Sequence, residues 1–332
     1  MRTIVTLVVL IFSFSFFSVG HMSEVNADNR FVSGTFTNKA GSREYKLYVP
    51  STYKGQRVPL IVMLHGCGQD PDDFSLGTKM NELAERDGFL TLYPAQNIEA
   101  NTSRCWNWFE PDHQMRGEGE PSIIAGMTQM IIDSYNIHPN KVYLAGMSAG
   151  GAMTTLVGAA YPDVFASIGV SAGLEYKAAT NLLSGLVVMQ MGGPPPKQQG
   201  GLAFLAMGEH AKVVPVILFH GDEDVTVNVL NGHQTITQWA YTNDYADDGL
   251  INNSIMKDSP KLANGKVDGG YSYEKYLYQT IKGKPVMEKW IINGMGHKWS
   301  GGSIAGSHTD PKGPDASEEM IRFFFENPKN KY

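Results

Sequence analysis

Apolar runs that read as strands alternate along this chain with segments whose apolar residues recur at helical spacing. The strand-like runs cover residues 45–49, 59–64, 89–93, 142–145, 166–170, 213–219 and 287–292. The helix-period segments cover 72–86, 121–135, 149–161, 228–241 and 315–325. Strand followed by helix, repeated, is the order of parallel strands joined by crossover helices. The pattern therefore predicts an α/β fold: a doubly wound, mostly parallel sheet with helices on both faces.

Two stretches interrupt that rhythm. Residues 175–212 contain Gly192-Gly193-Pro194-Pro195-Pro196 and then Gln198, Gln199, Gly200 and Gly201, a run not expected to continue a helix or an interior strand. It reads as a lid or a long loop. Residues 243–270 are polar and rich in Asn, Asp and Gly, and read as a surface insertion. Ahead of everything, Met1-Arg2 is followed by an apolar run at 4–19 and then small and polar residues. That is the pattern of a secretory signal peptide over 1–27, cleaved after Gly20 or Ala27, with an uncut membrane anchor as the rival reading. Residues 28–332 are then expected to form a single exported domain without stable membrane association.

Size and charge narrow the class. A chain of 332 residues can build one large core, and its net charge of −6 comes with no basic stripe, which argues against nucleic-acid or anionic-membrane partners. No His and carboxylate spacing resembles a zinc site and no Gly-rich phosphate loop occurs, so no metal or cofactor is expected.

Gly146-Met147-Ser148-Ala149-Gly150 lies between a predicted strand and a predicted helix, the context that gives G-x-S-x-G its meaning. The glycines allow a tight turn that presents Ser148 Oγ, and the helix start supplies N–H groups and a favourable dipole. A serine hydroxyl needs a base to become a nucleophile. His297, in the turn Gly294-Met295-Gly296-His297 after the last strand, is the candidate, with His308 as rival. His220-Gly221-Asp222-Glu223-Asp224-Val225 offers three carboxylates for the acid. Asp224 is the expected one and Asp222 the alternative. The chain order Ser, Asp, His is that of an α/β-hydrolase fold. An oxyanion hole is expected from the N–H of Ala149 and of Cys67, in His65-Gly66-Cys67-Gly68-Gln69; His65 itself reads as structural. Trp106 and Trp299 are candidates for substrate contact. Cys67 and Cys105 follow strands read as neighbours and are the only cysteines, so export predicts a disulfide between them.

These motifs, with Cys105-Trp106-Asn107-Trp108-Phe109, the continuation Lys298-Trp299-Ser300-Gly301-Gly302 and the run Asp310-Pro311-Lys312-Gly313-Pro314-Asp315-Ala316-Ser317, resemble the polyhydroxybutyrate depolymerase family of esterases. The resemblance spans about residues 31–325. It implies a secreted serine esterase that cleaves short-chain polyhydroxyalkanoate through an acyl-enzyme. The family is similar to feruloyl and acetylxylan esterases as well, so a carboxylesterase acting on cell-wall or other soluble esters is the alternative. A non-catalytic binding protein on the same fold is disfavoured, because all three triad positions are filled.

Overall fold

The computed structural model describes residues 30–255, 258 and 260–329; the predicted signal segment lies outside the described residues. Ten strands form one sheet. In chain order they are β1 (Phe31–Asn38), β2 (Gly41–Tyr48), β3 (Val58–Leu64), β4 (Leu90–Pro94), β5 (Ile137–Met147), β6 (Ile168–Ser171), β7 (Val216–Gly221), β8 (Lys261–Lys266), β9 (Ser272–Gln279) and β10 (Pro285–Ile292). Across the sheet they run β1-β2-β4-β3-β5-β6-β7-β10-β9-β8. The centre, from β4 to β10, is parallel, and an antiparallel hairpin closes each edge.

The helices are α1 (Pro71–Thr78), α2 (Met80–Asp87), α3 (Gly119–Ser134), α4 (Ala149–Ala160), α5 (Leu182–Met191), α6 (Pro196–Met207), α7 (Val229–Asp248) and α8 (Ala316–Glu326). Central strands read as unbroken apolar runs because both of their faces are covered. In β3, Leu60, Val62 and Leu64 join a core with α3, α4 and α7, whereas Ile61 and Met63 join a second core with α1, α2 and α8. The two-residue period of the strand sends alternate side chains into the two layers. On the second side Tyr143 stacks on Phe324 at 5.0 Å, and an added Cβ on Gly169 would lie 2.8 Å from Met320 Sδ, so α8 approaches the strand closely.

Five regions depart from the sequence reading. The segment 72–86 is two helices, broken at Lys79 with φ 57°. Its Nζ bonds Asp315 at 2.7 Å, and just before it Gly77 packs backbone to backbone against Gly306. The stretch 175–212 is no plain loop but holds α5 and α6. Pro196 sits in the first turn of α6, where its missing N–H has no partner to lose. Gly200 is tolerated inside that helix because α7 passes so close that a Cβ would meet Tyr241 Cβ at 2.6 Å. The polar region 243–270 contains the end of α7 and edge strand β8, and β1 and β9 were likewise not foreseen.

Candidate active site

Ser148 stands between β5 and α4 with φ 57° and ψ −122°, a backbone conformation that costs on the order of 1–3 kcal/mol and persists only when its surroundings impose it. They do. Ser148 N–H donates to Ser171 O at 2.9 Å, and Ser148 O accepts from Ala152 N at 2.9 Å. A Cβ on Gly146 would lie 2.3 Å from Gly150 O, and one on Gly150 would lie 2.1 Å from Leu64 O. Only glycine fits at either side of the serine. The half-buried Ser148 is thereby held at the N-terminus of α4, at the carboxyl edge of the parallel sheet.

Asp224 follows β7 and His297 follows β10, the neighbouring strand. Their turns are laced together: Asp222 N–H donates to Ile292 O and Glu223 N–H to Met295 O, both at 3.1 Å. Asp222 Oδ1 accepts from Gly294 N at 2.6 Å. A Cβ on Gly221 would lie 2.0 Å from Met295 O, so this approach needs glycine. His297 Nδ1 lies 2.7 Å from the buried Asp224 Oδ2. An ionised carboxylate only accepts, so Nδ1–H donates, and in the neutral imidazole the lone pair is then on Nε2. Asp224 Oδ1 accepts from Thr226 N at 2.9 Å and Val227 N at 2.8 Å. Burial by itself would raise the Asp224 carboxyl, but hydrogen bonds from His220, His297 and the Val227 backbone outweigh it and hold the group well below the ordinary carboxylate range. Asp222, by contrast, is exposed and bonds backbone. His308, the other candidate base, accepts from Trp299 N through its carbonyl at 2.7 Å; burial, then the nearby Lys298 and His297, lower its imidazole from the ordinary value.

The loop after β3 closes beside the serine: a Cβ on Gly66 would lie 3.4 Å from Ser148 Cβ. Cys67 in this loop is disulfide-bonded to Cys105. Ala149 opens α4, where the first N–H groups have no intrahelical acceptor. Side chains that the sequence reading passed over hold this wall. Gln69 Oε1 accepts from Gly66 N at 2.9 Å, and its amide donates to Asp73 Oδ2 at 2.9 Å. Gln96 N–H donates to His65 Nε2 at 3.0 Å, and its side-chain amide donates to Cys105 O at 2.9 Å. His65 Nδ1–H goes to Gly66 O at 2.8 Å; burial pushes the ring down to about 4, so it stays neutral. The fully buried Glu120 accepts from Arg43 Nη2 at 3.2 Å, Asn107 N at 2.7 Å and Asn107 Nδ2 at 2.8 Å. Gln69 was discoverable as the last residue of its motif. Arg43, Gln96 and Glu120 carry no local signature, because the network joins residues far apart in the chain.

The two tryptophans expected to touch substrate are closed off from solvent. Trp106 and Trp299 are both 0% exposed. Trp299 meets Phe74 edge-on at 5.5 Å and donates its indole N–H to Ser317 Oγ at 3.1 Å. It anchors the segment after His297 in the core between α1 and α8. Trp106 lies under the disulfide loop with its ring 5.7 Å from that of His65. A cleft of about 860 Å³ lies elsewhere, between β1, β2 and residues 95–99, lined by Lys46, Asp72 and Arg104. It contains none of the triad positions. Among the described residues no cluster of His, Cys, Asp and Glu could hold a metal ion, and no helix is long and apolar enough to cross a membrane.

With this geometry in hand, likeness to known proteins is informative. The family model "Esterase PHB depolymerase" matches residues 43–253. Poly(3-hydroxyalkanoate) depolymerase C of Paucimonas lemoignei is 34% identical over 268 residues, covering 80% of this chain and 60% of that protein. Acetylxylan esterase A of Talaromyces purpureogenus is 27% identical over 299 residues, covering 83% of this chain and 72% of that protein. Among solved structures, the acetyl xylan esterase of Aspergillus awamori superposes with a TM-score of 0.69 at 19% identity, covering 89% of this chain and 99% of that one, which speaks to fold alone. The sheet order, the strained serine between β5 and α4 and the family match agree: this chain has the α/β-hydrolase fold and belongs to the PHB depolymerase family of esterases.

Proposed function

We propose that the chain is a secreted serine esterase that hydrolyses short-chain polyhydroxyalkanoate, with Ser148 as nucleophile, His297 as base and Asp224 as acid. One observation carries the chemistry: the 2.7 Å bond from His297 Nδ1 to a buried, ionised Asp224, on the strand edge that also presents Ser148. With Nδ1–H donated to Asp224, Nε2 takes the proton of Ser148 Oγ as the oxygen attacks the ester carbonyl. The oxyanion that forms is met by the N–H groups of Cys67 and Ala149. Collapse expels the alcohol, which takes its proton from His297 Nε2–H, and leaves an acyl ester on Ser148. Water, deprotonated by His297, attacks that ester, and the carboxylic acid leaves as Ser148 regains its proton.

The polyester substrate is supported by the family match and by the depolymerase relative, of which this chain spans 60%. Action on acetylated or feruloylated cell-wall esters is the second reading, favoured by the acetylxylan esterase relative. Export is supported by the leader-like N-terminus and by the Cys67–Cys105 disulfide. Purified enzyme is expected to clear a poly(3-hydroxybutyrate) suspension; release of acetate from acetylxylan without clearing would transfer the assignment to the second reading. Ser148→Ala is expected to lose about six powers of ten in turnover on any ester, and an organophosphonate should label the parent at Ser148 alone. Near-normal hydrolysis by the variant would refute the mechanism.

A further inference from the structure

Helix α5 breaks the rule that a surface helix turns its polar side to water. Its inward side is Gly185, Val188 and Met189: a Cβ on Gly185 would lie 3.3 Å from Phe109 Cβ, and the other two pack on the main core. Its outward side is apolar too. Leu182, Leu183, Leu186, Val187 and Met191 are between 54 and 75% exposed.

The exposure is built in, because both ends of α5 are fastened. Asn181 and Ser184 form a reciprocal capping box at the start. At the other end Gln190 Nε2 donates to Val225 O and Thr226 O at 3.1 and 2.9 Å, and Asn228 N–H donates to Met189 O at 2.8 Å. Residues 225–228 directly follow Asp224, so α5 is pinned to the rim of the candidate active site. Val225, 83% exposed, continues the apolar face to within one residue of the acid.

The two segments that build this face also carry no Lys, Arg, Asp or Glu. The chain has 27 Lys and Arg and 33 Asp and Glu, yet none falls in 178–196 or in 225–243. A helix that rides on anionic membranes carries Lys and Arg on its polar face, and this one has neither. The occupant that fits is neutral, apolar and presented to the serine's own edge of the sheet. We infer that the outer face of α5, continued by Val225, is an adsorption surface that seats the enzyme on solid, uncharged aliphatic polyester, next to the nucleophile. This rests on the polyester reading above.

The test separates adsorption from hydrolysis. Adsorption to poly(3-hydroxybutyrate) powder is measured in a Ser148→Ala background, with and without the triple change Leu183→Ser, Val187→Ser and Met191→Ser. Leu262→Ser with Ile281→Ser, exposed apolar positions away from α5, is the control. The triple change is expected to lower adsorption at least tenfold and the control less than twofold, with 1 M salt failing to release the parent. With Ser148 restored, kcat/KM on soluble p-nitrophenyl butyrate should stay within twofold of the parent, which also shows that the triple variant is folded. Equal adsorption by parent and triple variant would overturn the inference, as would a parent that does not adsorb. So would a dimer in sedimentation that the triple change dissociates, because α5 would then serve a second copy. Failure of the polyester reading shows differently: active enzyme that hydrolyses soluble ester yet releases no hydroxy acid from the polymer, whatever its adsorption.

Discussion

Asp224 and Asp222 sit two residues apart, and replacing each by Asn separates their work. In Asp224→Asn, the position facing Thr226 and Val227 still has to accept two backbone N–H groups, so the amide oxygen stays there. The NH2 group is then turned toward His297 Nδ1, which must accept from it. The imidazole proton moves to Nε2, the nitrogen that should take the proton of Ser148. Forcing this tautomer costs about four powers of ten in serine proteases, which corresponds to ~5.4 kcal/mol in the barrier. In Asp222→Asn the carbonyl oxygen still accepts from Gly294 N; only the charge of that bond is lost, ~1 kcal/mol, so turnover should fall less than about tenfold. The assay is kcat and KM on p-nitrophenyl butyrate for both variants, with thermal melts to show that they are folded. Loss should appear in kcat. Equal small losses would refute the reasoning, and a larger loss in Asp222→Asn would reverse the two roles. Stability adds a check with a definite sign. The native Asp224 carboxyl lies below its ordinary 3.8, so its ionised form stabilises the fold at neutral pH, and that contribution is lost as pH falls below about 4 toward the native value. The parent's advantage over Asp224→Asn in melting temperature should therefore shrink on acidification.

Further outcomes follow from the same contacts. Gly150→Ala puts a methyl group 2.1 Å from Leu64 O and 2.6 Å from His65 O; it should cost at least ~3 kcal/mol in a denaturant titration and most of the turnover, and a normal midpoint would contradict the turn geometry. Cys105→Ser, or reductant, opens a loop with a sequence separation of 38 and should lower stability by up to ~4 kcal/mol, with turnover falling alongside because Cys67 is untethered; two free thiols in the unfolded, unreduced protein would rule the bridge out. Glu175, buried without a hydrogen-bond partner among the described residues, is pushed by that burial up to about 8. Between about 4.5 and 8 the unfolded chain is ionised there and the fold is not, so stability should fall with rising pH by up to ~1.4 kcal/mol per unit. The melting temperature of Glu175→Gln relative to the parent should accordingly rise from pH 5 to pH 8, and a constant difference would exclude that titration.

Several parts of this molecule were legible in the chain because they depend on local requirements. The central strands β3, β4, β6 and β7 are buried on both faces, so each had to be a continuous apolar run. Gly146 and Gly150 bracket Ser148 because no side chain fits there, and the three candidate triad residues each end or follow a strand of the parallel sheet. Edge strands were illegible for the converse reason: β8, Lys261–Lys266, is exposed along most of its length and carries no apolar alternation.

What remained belonged to contacts between distant residues. Two carboxylates in one motif are chemically alike, and only the packing of the turn after β7 against the turn after β10 gives Asp224 the imidazole and Asp222 the backbone of Gly294. Trp299 looks like a pocket aromatic beside His297 until α8 supplies Ser317 and α1 supplies Phe74 to enclose it. Gly200 in α6 looks like a helix breaker until α7 lies so close that only glycine fits there. The linear pattern records how each residue must meet water or a core, and so determined the layers, the strand edge and the candidate nucleophile. Which side chains face one another at that edge is decided by long-range packing, which no local pattern encodes.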